Sequence, residues 1–596
     1  MTYSAPLRDL QFAIHELAAY DRVAALPGYE EFTPDLVDAV LEEAAKLAAN
    51  VIAPINRAGD TNGSRWADRQ VTTPPGWSDA YQQFVDGGWC GLGSNPEYGG
   101  QGMPKLVSAA VAEMWKSANM AFALCPMLTI GATEAIELNG SAEVKQTYLP
   151  NMIAGKWTGT MNLTEPQAGS DLAAVRSRAE PQGDGTYRIF GQKIFITYGE
   201  HDLTENIIHL VLARLPDAPP GVKGISLFVV PKFLVNADGS LGARNDVQCV
   251  SIEHKLGIHG SPTCVLAFGD AGGAQGVLVG EANRGLEYMF VMMNAARFAV
   301  GQEGIAISER AYQKAAQYAR ERVQGPELGG ASAEKVAIIR HPDVRRMLML
   351  MRAQTEAMRG LALVVAAAID AADCHPDATE RARNQAFADL LVPVIKGWCT
   401  ETGVEIASLG VQVHGGMGFI EETGAAQFLR DARITTIYEG TTGIQANDLM
   451  GRKIAREAGT TLFALVAVMR ADCAALAASG DADLAGIAAR LAPGIDAAEA
   501  AGRYIVENFR RDVKTVSAGA VPFLRLLGIV AGGWQIGRAA SLAAQKVAAG
   551  SSDPFYAAKI VSARFFAEHV LCQAQGLAQC VMNGGASVMA LDESLF

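Results

Sequence analysis

The sequence of 596 residues lacks the common signatures of several protein classes. It carries 63 acidic against 50 basic side chains, a net charge of -13, so a surface for nucleic acid or anionic membrane is not expected. It has no GxxxxGK[ST] loop, and "GLGSNP" ends in proline without a preceding strand, which argues against P-loop and Rossmann cofactor sites. "HELAA" lacks the second histidine of an HExxH motif, and no metal site is predicted.

Disulfide patterns and long apolar runs are also missing. The cysteines show no CxxC and no even framework, which predicts reduced thiols, most of them small core residues, in a cytosolic compartment. The N-terminus lacks the basic-then-apolar order of a signal peptide, and no run reaches the ~18–20 apolar residues of a membrane span. We therefore expect a cytoplasmic protein with no membrane span, and we interpret "FLRLLGIVAGGW" as a buried helix between domains or subunits. The nine cysteines are Cys90, Cys125, Cys249, Cys264, Cys374, Cys399, Cys473, Cys572 and Cys580.

What the sequence does contain is helical periodicity interrupted by one β-rich stretch. Apolar residues recur at helical spacing before residue 156 and again after residue 279, whereas short runs such as "YRIFGQKIFIT" and "GISLFVV" are rich in β-branched and aromatic residues. The chain is too long for one core, so four domains are predicted. They are a helical domain (1–156), a β domain (157–278), a helical bundle (279–452) and an additional helical domain (453–596).

Two stretches of the β domain have the composition of a ligand site. "MNLTEPQAGSD" (161–171) ends a strand in small, hydroxyl and amide side chains, which can offer backbone N–H groups and hydroxyls to a flat heteroaromatic edge. In "GQKIFITYG", strict alternation would put Phe195 and Thr197 on the face opposite Ile194, Ile196 and Tyr198. An ordinary turn and ordinary core packing remain open for these two stretches on chemistry alone.

A third stretch, "RITTIYEGTTGIQAND", contains a lone carboxylate, Glu439. Thr442 and Gln445 have the spacing of a capping box for a helix that begins just after it. The helix dipole would favour the charged carboxylate, whereas burial beside Tyr438 would raise its pKa by up to several units. Such opposed influences suit a general base, although an exposed loop glutamate is the alternative.

Seven collinear segments together resemble the acyl-CoA dehydrogenase family of flavoproteins. They are "YGGQGM", "YLPNMIAGKWTGTMNLTEPQAGSD", "GQKIFIT", "KLGIHGSPTC", "NRGL", "QVHGGMGF" and "RDARITTIYEGTTGIQ". The resemblance implies a mainly α fold with a central, barrel-like β domain between a helical N-domain and a helical bundle. The N-terminal "APLRDLQFAIHEL" and the long helical tail resemble a longer bacterial branch that includes 3-methylmercaptopropionyl-CoA dehydrogenases.

The family resemblance implies an FAD-dependent enzyme that converts an acyl-CoA to the trans-2-enoyl-CoA. Glu439 falls on the position of the base that removes the α-proton, while hydride passes to flavin N5 and electrons leave to an electron-transferring flavoprotein. Some relatives carry their glutamate on the helix of "NAAR", but here those places are Asn294, Ala295 and Ala296. A homodimer or a dimer of dimers is implied as well.

The family motifs also assign residues to FAD and to the substrate. FAD would be bound by Met161, Leu163, Thr164, Ser170, Phe195, Thr197 and Thr441 of one subunit and by Arg322, Gln412 and Gly416 of a neighbouring one. The acyl-CoA would contact Ser170, Asn294, Arg297, Tyr438 and Gly440. Two departures weaken these assignments: the usual RxxFG is "RVQG" here, and a frequent glutamine is Gly443.

Other functions remain open at this stage. A medium- or long-chain acyl-CoA dehydrogenase would share every motif, and an acyl-CoA oxidase would differ only in passing electrons to dioxygen. A DNA-associated relative with an inactive flavin site would need a basic final domain, which the nearly balanced charges after residue 453 disfavour. The acyl pocket is expected in "NMAFALCPML", with Met120, Phe122 and Cys125 as candidate lining residues.

Overall fold

The computed structural model describes residues 3–596. The first helical region contains one small antiparallel hairpin. Asp68 and Arg69 adopt the left-handed conformation at the turn between its two strands. Its elements are α1 (Leu7–Phe12), α2 (Tyr20–Ala24), α3 (Pro34–Leu47), α4 (Asn56–Asn62), β1 (Arg65–Ala67), β2 (Gln70–Thr72), α5 (Trp77–Asp86), α6 (Lys105–Ala118), α7 (Met120–Asn139) and α8 (Ala142–Ile153).

The β-rich stretch forms one curled eight-stranded sheet in the order β10-β11-β5-β12-β7-β6-β3, with β4 paired to β5. Neighbours are antiparallel except β3 and β6, which run parallel. The strands are β3 (Trp157–Asn162), β4 (Arg178–Pro181), β5 (Thr186–Thr197), β6 (Asn206–Ala213), β7 (Ser226–Pro231), β8 (Phe233–Val235), β9 (Leu241–Arg244), β10 (Val247–Ile252), β11 (Thr263–Phe268) and β12 (Ala274–Val279). β8 and β9 form a separate hairpin.

The helical bundle is built on three long helices. Its elements are α9 (Gly285–Glu321), β13 (Val323–Pro326), β14 (Lys335–Ala337), α10 (Pro342–Cys374), α11 (Ala378–His414), α12 (Ala425–Ala432) and α13 (Thr442–Asn447). The backbones of α9 and α11 approach closely at glycines: a Cβ on Gly304 would lie 2.3 Å from the Cys399 carbonyl oxygen. This contact sets the spacing of the two helices whose side chains meet at the functional site.

The last helices pack on the bundle through another set of glycines. They are α14 (Thr460–Ala477), α15 (Ala482–Asn508), α16 (Val513–Ser517), α17 (Ala520–Ala548), α18 (Pro554–His569), α19 (Ala574–Asn583) and α20 (Gly585–Val588). Trp398 of α11 lies against Gly528 and Gly532 of α17, where a Cβ would come within 2.4 Å of the indole. The apolar run "FLRLLGIVAGGW" is therefore a buried helix, as predicted.

The expectation that no segment is apolar enough for a membrane span was wrong. Three helices have the length and composition to cross a membrane, namely α7, α14 and α17. Interspersed glycine, alanine and threonine interrupt the strictly apolar runs in these helices, yet leave the mean hydropathy high. Most of the apolar window is buried within the fold in α7 and α17, 72% and 83%, but only 33% in α14.

The close approach of α9 and α11 gives a test of the fold. Gly304→Ala should lower the free energy of unfolding by about 1–3 kcal/mol, because the added methyl group forces two backbones apart. Gly486→Ala is the matched control, since Gly486 is exposed in α15 with no atom within 4 Å of an added Cβ. The control should be neutral or stabilising by ~0.5–1 kcal/mol. Equal urea midpoints for the two variants would contradict the proposed helix contact.

Candidate active site

The site centres on a short loop, residues 438–440, that we call the base loop. It lies between the 3-10 turn Arg433–Thr436 and α13. Glu439 has φ of +55°, a left-handed conformation that costs a non-glycine residue about 1–3 kcal/mol and recurs at functional sites. Gly440 has φ of +86°, which glycine adopts without strain. The backbone thus bends twice to present one carboxylate.

Three buried side chains hold this strained loop. Gln445 Nε2 donates to the Glu439 carbonyl oxygen at 3.0 Å, and Lys396 Nζ donates to the Gly440 carbonyl oxygen at 2.6 Å. The Tyr438 hydroxyl donates to Glu303 Oε2. Each residue of the loop is therefore anchored to a different part of the bundle, which compensates for the backbone strain.

The electrostatic surroundings make Glu439 a usable base near neutrality. Burial raises the pKa of its carboxyl group to about 7, although Lys396 and Arg297 act in the opposite direction. Burial also lowers the pKa of Lys396 to about 8, against the attraction of Glu439 and Glu303. Glu439 as a whole residue is half-buried.

The two residues expected on α9 lie beside this loop. Arg297 is buried, its charge acts on Glu439, and it forms an ion pair with Asp448 at 3.5 Å. Asn294 is exposed one turn earlier and accepts a hydrogen bond from Arg297 Nη1 at 3.4 Å. The structure thus brings together Asn294, Arg297 and the base loop, residues far apart in sequence.

The residues predicted from the β domain meet at the ends of β3 and β5. Ile194 N donates to the Thr164 carbonyl oxygen at 2.9 Å, and Lys193 Nζ to that of Leu163 at 3.0 Å. Thr197 lies at the end of β5, and Met161 near the end of β3; both are half-buried. Met161, Leu163, Thr164 and Thr197, together with Phe195, therefore lie where the C-terminal ends of β3 and β5 come together.

Strict alternation along β5 was wrong at Phe195. Cys264 of β11 pairs with Ile196 of β5, and Leu266 pairs with Lys193. A step of two residues along β11 therefore matches a step of three along β5, so β5 carries an extra residue there. This bulge places Phe195 at φ of +60° and leaves its side chain 58% exposed. The bulge, and not the pleat, turns the ring outward.

The same sheet edge fits a flat heteroaromatic group. The Phe195 ring is exposed and can cover such a group, and Thr164 is half-buried. Asn162 Oδ1, at the end of β3, is buried and accepts no hydrogen bond from any residue between 3 and 596. These features are those of a surface that is completed by a ligand.

Other predicted residues lie elsewhere. Ser170 is exposed in the loop before the 3-10 turn at Leu172. Arg322, Gln412 and Gly416 are exposed at the far end of the bundle, where Tyr318 of α9 stacks on His414 of α11 at 4.4 Å. Arg297 and Arg322 lie in the first half and at the C-cap of α9, so on the order of 35–40 Å separates them.

The predicted capping box was wrong by one residue. Thr441 is the N-cap of α13, and its hydroxyl accepts from Ile444 N at 3.3 Å. Thr442 is the first helical residue and donates to Glu401 Oε1. Gln445 does not bond the N-cap backbone, because its amide is engaged with the base loop. The exposed Thr441 still lies directly after the loop, as expected.

An apolar cavity of about 90 Å³ lies among α6, α7 and α9 beside the turn that carries Arg297. Its lining includes Met127, Leu128, Gly131, Ala296 and Ala299. Met120, Phe122 and Cys125, the residues expected to line the acyl pocket, do not line this cavity and are buried in the core.

The sequence reading missed three residues of the site, Glu303, Lys396 and Gln445. Glu303 and Lys396 lie within long apolar helices, where an isolated charge could have drawn attention because buried charges are rare. Gln445 was noticed only as a capping residue. Their joint role depends on a meeting of α9, α11 and α13 that no local pattern reveals.

Known protein families resemble this chain along most of its length. Family models match the chain in four consecutive stretches. They are the acyl-CoA dehydrogenase N-terminal domain at 35–156, the middle domain at 160–271, the C-terminal domain at 283–454, and an acetyl-CoA dehydrogenase C-terminal-like model at 465–592.

Relatives match over the full length. A 3-methylmercaptopropionyl-CoA dehydrogenase of Ruegeria pomeroyi is 51% identical over 99% of both chains. A butyryl-CoA dehydrogenase of Syntrophomonas wolfei is 34% identical over 100% of this chain and 99% of its own. Among solved structures, an acyl-CoA dehydrogenase of Bacillus anthracis complexed with FAD superposes with a TM-score of 0.74 at 21% identity, covering 96% of this chain and 91% of the other. The chain therefore belongs to the acyl-CoA dehydrogenase family of enzymes, whose cofactor is FAD.

Proposed function

We propose that this enzyme oxidises a short acyl-CoA thioester, 3-methylmercaptopropionyl-CoA in particular, to the trans-2-enoyl-CoA, here methylthioacryloyl-CoA. The substrate name comes from the Ruegeria pomeroyi relative, which is 51% identical over nearly the whole chain. The observation that carries the chemistry is the strained, anchored Glu439, whose carboxyl group has a pKa of about 7. The α-proton of the substrate passes to this carboxylate.

Two properties of the base loop support this role. A thioester α-proton is a very weak acid, and each unit by which the pKa of the base rises reduces the mismatch by ~1.4 kcal/mol. The Glu439 N–H donates to no acceptor among residues 3–596, so it is free to bond the thioester oxygen as charge develops there. Removing one such donor costs about 3–4 kcal/mol in comparable enzymes.

The cofactor assignment follows the fit at the sheet edge. Met161, Leu163, Thr164, Phe195 and Thr197 would hold the flavin ring, with Ser170 and Thr441 as further contacts. FAD, when bound, supplies the acceptor for the hydride from the substrate β-carbon. The chain's own part is to aim Glu439 at the α-carbon, with Arg297 and Tyr438 beside it and Gly440 permitting a close approach of the acyl chain.

Replacing the base tests the mechanism directly. Glu439→Gln should retain FAD and thermal stability but lose substrate-induced bleaching of the flavin by ~10²–10⁴-fold or more, because an amide cannot accept the proton. Absorbance of the flavin after mixing with acyl-CoA measures the loss, and FAD content of the purified variant is the control. A variant with wild-type bleaching would rule out Glu439 as the base.

The cavity supports a short acyl chain. The cavity has a volume of about 90 Å³, and nearly all of its lining is apolar. A terminal methylthio group fits this space, and the Met127 and Met292 side chains in the lining suit contact with sulfur. Medium- and long-chain acyl groups would need a deeper pocket.

A substrate panel tests this preference. We expect kcat/KM to be highest for 3-methylmercaptopropionyl-CoA, similar or lower for butyryl-CoA, and at least ~10-fold lower for palmitoyl-CoA, for lack of apolar space. Leu128→Ala should shift the preference towards octanoyl-CoA by lengthening the cavity. Leu124→Ala is the matched control, since Leu124 is buried in α7 outside the lining. A wild-type optimum at palmitoyl-CoA would refute the short-chain proposal.

We further propose that FAD is held across two subunits of a homodimer or dimer of dimers. The separation of Arg322, Gln412 and Gly416 from the base loop supports this, because within one subunit the two sets of residues lie too far apart to bind the same FAD molecule. The exposed apolar side chains Phe419 (86%) and Leu256 (63%) are available for burial by a second copy.

Mixing two inactive variants tests the shared site. When Glu439→Gln and Arg322→Ala subunits are co-expressed, each mixed dimer should have one intact site out of two. Random association makes half of the dimers mixed, so about a quarter of wild-type activity should return. Each variant alone should be inactive or nearly so, Arg322→Ala through loss of FAD. If both residues serve the same subunit's site, mixing should restore nothing. Sedimentation gives the oligomeric state.

The electron acceptor and location complete the proposal. An electron-transferring flavoprotein is the acceptor that the family resemblance implies; peroxide formed as fast as substrate disappears would instead identify an oxidase. Nine free cysteines, six of them buried, support a reducing compartment such as the cytoplasm. Cell fractionation checks that location and also reports on membrane association of the three apolar helices.

A further inference from the structure

A second carboxylate, Glu303, lies in the bundle beside the base loop and has no part in the chemistry above. It is completely buried on α9, nearly two turns after Arg297. Its Oε2 accepts the Tyr438 hydroxyl, whereas its Oε1 has no hydrogen-bond partner within residues 3–596. A fully buried, half-satisfied carboxyl group is costly, so its retention needs an explanation.

The groups that face Glu303 come from three directions. Lys116 on α6 and Lys396 on α11 attract it, while Tyr438 and Glu439 contribute the hydroxyl and a like charge. Lys116 Nζ donates to the Ala299 carbonyl oxygen at 2.9 Å and to Gln302 Oε1 at 3.3 Å, and it lines the acyl cavity. Glu303 therefore lies between the acyl cavity and the base loop.

We propose that Glu303 is a positioning residue for the dehydrogenation: by holding the Tyr438 hydroxyl it fixes the strained base loop and so aims the neighbouring Glu439 carboxylate. This inference rests on the proposed role of Glu439 as the base. Glu303 is not one of the reacting groups in this proposal; it acts through its hydrogen bond with the Tyr438 hydroxyl and, separately, through its charge.

Backbone strain at Glu439 explains why the Tyr438–Glu303 hydrogen bond matters for the position of the base. Glu439 is held left-handed by anchors on both sides, Gln445 and Lys396 after it and the Tyr438–Glu303 hydrogen bond before it. Without the last anchor the loop can relax towards an ordinary conformation. A displacement of about 1 Å at a reacting group costs ~10²-fold in rate, so the effect should appear in kcat.

The charge of Glu303 has a separate effect. Two carboxylates buried in one site repel each other, and the repulsion disfavours ionisation of both. The pKa of Glu303 is itself raised to about 7 by burial, with Glu439 adding to the rise. Because repulsion between two carboxylates is mutual, a negative Glu303 should also favour the protonated form of Glu439, and neutralising it should make Glu439 a weaker base.

Two substitutions separate these effects. Glu303→Gln keeps an oxygen that can accept the Tyr438 hydroxyl but removes the charge, whereas Glu303→Ala removes both. Wild-type kcat/KM should fall tenfold per pH unit below about pH 7, since the base must be ionised. Glu303→Gln should retain kcat within about threefold. The pH at which kcat/KM reaches half of its maximum, the half-point of the pH profile, should move down by roughly 0.5–1 unit.

Glu303→Ala should lower kcat by ~10–100-fold and change KM by less than about threefold, because the loop is misaligned while the substrate site remains. Glu113→Gln is the control for disturbing a buried carboxylate, since Glu113 is paired with Arg359 and is not among the charges that act on Glu303 or Glu439. It should lower the melting temperature but leave the half-point of the pH profile unchanged.

The outcomes distinguish this inference from the proposed function. If wild-type enzyme bleaches with acyl-CoA and Glu439→Gln does not, the function stands. In that case, wild-type kcat and an unshifted pH profile in Glu303→Gln, together with wild-type kcat in Glu303→Ala, overturn the role of Glu303 alone. Should Glu303→Ala fail to fold, Tyr438→Phe takes its place because it removes only the hydroxyl that Glu303 holds, and wild-type kcat in that variant overturns the role.

Discussion

The site depends on one constraint, the hold that the helical bundle keeps on the three-residue base loop. Glu439 occupies a left-handed backbone conformation, and such a conformation persists only when its surroundings enforce it. Gln445 and Lys396 bind the two carbonyl oxygens of the loop, and Glu303 binds the Tyr438 hydroxyl. Because three separate elements contribute, the base is as rigid as the bundle itself.

The close packing of α9 against α11 makes this hold possible. Glycines such as Gly304 let the two backbones meet, so that Arg297 and Glu303 of one helix and Lys396 of the other lie around the same loop. The same low-dielectric surroundings raise the pKa of Glu439 and lower that of Lys396. The exclusion of water therefore has two effects: it accompanies the packing of the bundle, and it shifts the pKa values of Glu439 and Lys396.

The sequence was informative where function depends on short contiguous segments. The loop after β3, the bulged end of β5 and the segment around Glu439 each carry their residues within about a dozen positions, and their order matched a known family. It was uninformative where a residue's meaning depends on a distant neighbour. Glu303 reads as an isolated charge on an apolar helix until Tyr438 is placed beside it, and the bulge that exposes Phe195 depends on pairing with β11.

The amino-acid sequence by itself determined the fold class, the order of the helical and β regions, the family and the candidate base, because apolar periodicity and short motifs are local properties of the chain. Only the tertiary structure decided which face of α7 lines the apolar cavity, which residue caps α13, and that a second buried carboxylate accompanies Glu439. These depend on helix phase and on contacts between residues more than a hundred positions apart. Such contacts follow from the packing of the whole domain, which no single segment specifies.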